Sequence, residues 1–150
     1  MDSTCAEGSG AWSIGGVNSN TYPFKGSIAD VRIWNRARTK AEIAEEMARR
    51  LTGREAGLLG HWPLDDGTGG TVKDMSPAKR HGTLTGAIWQ QSAFLHPQIV
   101  LPPSPGANLA KAMKFDGAAD YIEVPDGAPL FTGSFTVAAW VKVTGGKDRY

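Results

Sequence analysis

Cysteine is almost absent: Cys5 is the only one in 150 residues. A lone thiol excludes an internal disulfide framework and a cysteine zinc site, both of which need several. Charge of one sign is also missing, with 16 basic and 15 acidic residues and a net charge of +1. Nucleic acid or an anionic membrane surface would call for a basic excess, so neither is expected as a partner. No apolar run approaches the ~18 residues that span a bilayer, so membrane insertion is not expected. The opening MDSTCAEGSG has no basic segment followed by an apolar one, the mark of a secretory leader. Histidine is scarce, and His61, His81 and His96 lack metal-ligand spacing.

Glycine and proline are plentiful, at 19 and 9 residues. They separate short runs rich in Val, Ile, Thr, Phe and Trp, a pattern that predicts an all-β sandwich or barrel. Residues 11–16, AWSIGG, read as a short strand closed by glycines, followed by the loop VNSNTYP. The stretch 24–38, FKGSIADVRIWNRAR, reads as a strand over about 25–34. Strict alternation places Ala29, Val31 and Ile33 on a core face and Ile28, Asp30, Arg32 and Trp34 on the other. Asp30 and Arg32 are then expected as a surface ion pair worth under ~1 kcal/mol, with Arg32 near the Trp34 ring. The basic clusters Arg36-Ala37-Arg38, Arg49-Arg50 and Lys79-Arg80 are expected on solvated surface.

One helix follows, over 39–51. Thr39 is a good N-cap, and Glu42 three residues later completes a capping-box pattern. Ile43, Met47 and Leu51 form a narrow apolar stripe, with Gly53 as a C-terminal stop. Further on, 58–64 reads as a strand, Asp65-Asp66-Gly67-Thr68-Gly69-Gly70 as a turn, 71–74 as a short extended piece and 83–89 as another strand. The four prolines of HPQIVLPPSPGAN (96–108) predict an exposed connection. AMKFDGAADYIEVPDG is arranged about a tight turn. SFTVAAWVKV alternates Phe135, Val137, Ala139 and Val141 with Thr136, Ala138, Trp140 and Lys142.

Three stretches together resemble a known family. WPLDDGTGGTVKDMS with HGTLTGAIW, MKFDGAADYIEVP with FTVAAWVK, and GSIADVRIWNRA followed by a helix are similar to laminin-G-like domains of the concanavalin A-like lectin/glucanase superfamily. The resemblance implies an antiparallel β-sandwich of the jelly-roll type, partial or permuted, with one short helix outside. In that family the third stretch closes the domain, whereas here it comes first, and the family's middle strands have no counterpart. Residues 1–53 are therefore expected to be the C-terminal part of one repeat, and 57–150 the N-terminal part of the next. The closing strand 25–34 is expected beside 111–124, and the strand edges left exposed are expected to support self-association.

The resemblance also implies calcium. Asp74 is the principal expected ligand, with the carbonyls of Ser76 and His81, and the adjacent acids Asp65 and Asp66 offer further hard oxygens. Catalysis is not expected: glycoside hydrolysis needs paired carboxylates, and Glu123 has no acid two residues away. Glu42, Glu45 and Glu46 fall in the helix, and GTGG is not followed by a phosphate-binding Lys-Ser/Thr. Trp12, Trp34, Trp62, Trp89 and Trp140 are expected to pack rather than to stack on sugars. The resulting expectation is a non-catalytic binding or adhesion module for a glycan or protein, within a larger extracellular or cell-surface protein. The alternative is an architectural spacer repeat.

Overall fold

The computed structural model describes residues 11–16, 23–47, 49–91, 111–125 and 133–145. Cys5, His96, the VNSNTYP loop and the proline-rich stretch 96–108 lie outside the described residues, wholly or nearly so. Among the described residues nine strands and one helix are formed: β1 (Trp12–Ile14), β2 (Lys25–Trp34), α1 (Lys40–Glu46), β3 (Leu58–Trp62), β4 (Thr71–Val72), β5 (Gly82–Thr85), β6 (Ile88–Gln91), β7 (Lys111–Asp116), β8 (Tyr121–Val124) and β9 (Thr136–Val143). Every strand pairing is antiparallel. One sheet has the order β1-β8-β5-β4, and the other holds β3, β2, β7, β6 and β9. The two sheets enclose one core, built from Ile14, Ile28, Val31, Ile33, Trp62, Leu64, Val72, Met113, Phe115, Ile122 and Val124. The antiparallel sandwich expected from the sequence is the fold observed.

The centre of the molecule is β2. One of its edges carries β9 along nearly the whole length, from Gly26↔Val143 to Trp34↔Thr136. The other edge carries two strands in succession: β7 against Lys25–Ile28, then β3 against Val31–Trp34. Between them the Asp30 amide donates to the Pro63 carbonyl at 3.1 Å, so the ladder continues across the gap. Gly26 lets β9 approach: a Cβ there would lie 2.2 Å from the Lys142 carbonyl oxygen. Both expected portions, 1–53 and 57–150, contribute to both sheets, with β1 in one and β2 in the other. The pairing expected for 25–34 is found with β7, while β8 belongs to the opposite sheet.

Strict alternation in β2 is broken. Asp30 has φ 54°, in the left-handed region, and the β2–β9 register shifts between Ala29 and Arg32. One residue is absorbed there, so Ile28 joins Val31 and Ile33 in the core, contrary to the two-face assignment above. Trp34 leaves that core and forms a second cluster with Leu51 and Leu58 on the outer face.

The helix also differs from expectation. Its capping box is present, with the Thr39 hydroxyl accepting from the Glu42 amide and the Glu42 carboxylate accepting from the Thr39 amide. It ends at Glu46, however, with Met47 as C-cap, and buries none of its own residues. Ile43 and Met47 are 39% and 40% exposed, and only Leu51, beyond the helix, is buried. Gly53 does adopt φ 83°, but its role is contact, since a Cβ there would lie 2.0 Å from the Met75 carbonyl oxygen.

Two stretches expected to be local units divide between the layers instead. β5 and β6 are separated by Gly86-Ala87, and β7 and β8 by the turn 117–120; in each pair the members go to opposite sheets. These short links are the corners of the sandwich.

Candidate functional site

Pairing across the ladder places Arg32 directly opposite His61, on the outer face of the larger sheet. The left-handed Asp30 turns its carboxylate between them. Its Oδ1 accepts from His61 Nε2 at 2.8 Å, and its Oδ2 meets the Arg32 guanidinium at 2.5 Å. All three are buried, at 6%, 5% and 2% exposure for Asp30, Arg32 and His61. The expected surface ion pair is thus an interior one. Burial pushes the Asp30 carboxyl up, but the His61 hydrogen bond and the Arg32 charge outweigh it and hold the group below its ordinary 3.8. Arg32 then donates to the carbonyls of Glu46 and Arg49, both at 2.7 Å, and so ties the end of α1 to the sheet. Two buried nitrogens of the cluster, Arg32 Nε and His61 Nδ1, have no protein partner.

The cation over Trp34 is Arg38 and not Arg32: its guanidinium carbon lies 3.9 Å from the ring centroid. Arg38 also pairs with Glu46 at 2.7 Å with its side chain only 6% exposed, so this member of the basic cluster is not solvated surface. Arg36 is the exposed one, and it holds Glu42 down to about 2, helped by the Thr39 amide. With the Trp140 indole donating to the Met47 carbonyl at 3.1 Å, α1 is fastened by charge and hydrogen bonds.

The expected calcium ligands occupy three separate environments. Asp74 is fully buried, and its two oxygens accept four hydrogen bonds. Oδ1 takes the amides of His61 at 3.0 Å and Ser76 at 2.8 Å; Oδ2 takes the Ser76 hydroxyl and the Arg80 amide, each at 2.8 Å. His81 accepts from the Asp74 amide through Nδ1 at 3.1 Å, which puts its ring proton on Nε2. Asp65 pairs with Arg50 at 3.1 Å, and Asp66 with Lys73 at 3.0 Å. Among the described residues no group of three His, Cys, Asp or Glu side chains is placed to hold a metal ion. The structure brings Asp74, Ser76 and His81 together around amides and leaves Asp65 and Asp66 to basic partners.

Sequence reasoning missed a further acidic pair. In the β7–β8 turn, Asp120 Oδ2 accepts the Asp116 amide at 2.6 Å, and the Asp116 carboxylate accepts the Ala118 amide. Burial first, and then the charge of Asp116, push the Asp120 carboxyl up despite the amide it accepts. The spacing of the two acids about FDGAAD was the available signal. It reads as an ordinary turn until the chain bends back at Gly86, where a Cβ would lie 2.1 Å from Asp120 Oδ1.

Of the tryptophans, Trp34 and Trp62 are buried. Trp62 donates to the Arg80 carbonyl at 3.0 Å and meets Trp12 edge-on at 4.9 Å between centroids. Trp12, Trp89 and Trp140 are half-buried, and Trp89 is pinned over the glycine turn by a 2.9 Å bond to the Gly69 carbonyl. The expectation that tryptophans pack holds for all five, to differing depth.

A laminin G family model, described as the concanavalin A-like lectin/glucanases superfamily, matches residues 2–44. This span ends within α1 and includes the whole of β2, the strand at the centre of the sandwich. The opening of the chain is thus similar to the concanavalin A-like superfamily, and the two antiparallel sheets are consistent with a sandwich of that kind. No curated protein matches the chain, and no solved structure matches it. Among the described residues no helix is long and apolar enough to cross a membrane.

Proposed function

We propose that the chain is a non-catalytic binding module for a carbohydrate or protein ligand, working within a larger extracellular or cell-surface protein. The observation that carries this reading is the superfamily match over β2 in an antiparallel sandwich. The disposition of acids supports it, since Asp30, Asp65, Asp66, Asp74 and Glu46 each hold a basic or amide partner. None of these five stands ready as a free general acid or base. The half-buried rings of Trp89 and Trp140 offer aromatic surface to a ligand. Saturable binding on a glycan array or to an extracellular protein, weakened by Trp89→Ala or Trp140→Ala in variants that keep the β-sheet circular dichroism of the unaltered chain, is the expected result. Absence of any saturable binding would favour a spacer repeat, and release of reducing sugar from a polysaccharide panel would show a hydrolase.

The same reading includes the join of two repeats, with 1–53 as the closing part of one and 57–150 as the opening part of the next. The direct pairing of β2 with β3 and β7 supports it. It also includes self-association of a second copy through β9. Among the described residues β9 pairs only with β2. Val137 and Val141 sit opposite Ile33 and Ile28, on the core side, yet are 55% and 51% exposed, because the facing sheet does not cover them. Val143 is 66% exposed. A long apolar edge strand of this kind is prone to pairing. Sedimentation is expected to show concentration-dependent dimers that Val141→Lys abolishes; a monomer at all concentrations would remove self-association and leave the binding reading intact.

A further inference from the structure

We infer that the loop 74–81 is organised by the protein's own amides in place of a cation, and that this loop therefore holds its form without calcium. A carboxylate offers about four acceptor sites, and Asp74 spends all of them on His61, Ser76 and Arg80 donors between 2.8 and 3.0 Å. Calcium takes roughly six to eight oxygens, so entry at this point would break several of those bonds and turn N–H dipoles toward a positive charge. The neighbouring side chains are committed too, and the Ser76 carbonyl accepts the Lys79 amide at 3.3 Å. His81 presents nitrogen to the Asp74 amide, while Asp65 and Asp66 face Arg50 and Lys73. Lys79 and Arg80 add positive charge to the loop's own sequence.

Asp74 acts here as a positioning residue. Through the His61 amide it is joined to β3, and through the Arg80 amide to the residues leading into β5. The Arg80 carbonyl in turn receives the indole of Trp62, which is wholly buried in the main core. One anion thus orients the loop, and the loop orients the core indole. An aspartate surrounded by donors serves the ordering role that a metal serves elsewhere.

The test uses calcium and terbium ions with the whole chain. Melting temperature is expected to be the same in chelator and in millimolar calcium, whereas a bound ion would raise it by several degrees. Terbium luminescence excited through tryptophan is expected to show no saturable rise. Asp74→Asn is expected to lower the melting temperature by at least ~5 °C, since buried donors lose a charged acceptor. The double change Asp65→Asn and Asp66→Asn is expected to leave melting within ~2 °C, because its ion pairs are half-exposed. A saturable calcium-dependent rise in melting temperature, a saturable terbium signal, or unchanged melting in Asp74→Asn would each overturn the inference. If Asp74→Asn does not fold, the two ion titrations on the unaltered chain decide it.

Discussion

Asp30 shows how one backbone conformation redirects several side chains. Its left-handed φ shifts the register, moves Ile28 into the core and aims a carboxylate at His61 and Arg32. A buried ion pair of this kind contributes little relative to apolar packing, yet breaking it by removing one partner costs about 3–5 kcal/mol. Asp30→Asn is therefore expected to lower unfolding free energy by roughly that amount at neutral pH, measured by denaturant titration. The folded carboxyl titrates below 3.8, so its stabilisation is complete above the unfolded value and is lost as pH falls through the folded one. Acid sensitivity below about pH 4 should accordingly be weaker in Asp30→Asn than in the unaltered chain. Asp120 has the opposite sign. Its folded value is raised, so its ionisation opposes folding at neutral pH and its protonation favours folding as pH falls. Asp120→Asn, which keeps an oxygen for the Asp116 amide, is expected to melt at or above the original temperature at pH 7; a large fall would refute this account.

The helix is fastened from its end. Arg32 and the Trp140 indole bond carbonyls of Glu46, Met47 and Arg49, while Ile43 and Met47 remain largely open to solvent. Leu51 does the apolar packing, against Trp34 and Leu58. Leu51→Ala is expected to cost about 2–4 kcal/mol, whereas Ile43→Ser is expected to cost under ~1. Equal losses from the two would show that the stripe read from the sequence is buried after all. The capping box was legible, because it depends on residues three apart within a single turn. The position of the helix end was not, since the cation that donates to its carbonyls comes from Arg32, 14 residues before Glu46.

Across the molecule, β2 is bonded at both edges and buried at every residue after Lys25. Its amides are expected to exchange slowest with solvent, and those of β1, β4 and α1 fastest, as hydrogen-exchange mass spectrometry would read. Fast exchange in β2 would contradict its central place. Most strands, the glycine turns and the sandwich class were legible, because alternation and turn chemistry are local, whereas 83–89, read as one strand, is two. Which strands face each other was not. β5 with β6, and β7 with β8, look like local units along the chain, and each divides between sheets.

The acids make the same division plain. Sequence alone determined that Asp65 and Asp66 lie in a glycine turn, that Asp74 ends a short extended piece and that Asp30 stands two residues from a base, because local backbone preference sets those positions. Tertiary structure alone decided what each carboxylate does. Asp74 meets amides from β3 and from its own loop, Asp30 meets an imidazole 31 residues away, and Asp65 meets Arg50. A carboxylate's chemistry is set by the donors and charges within a few ångströms of it, and those arrive only when distant segments pack.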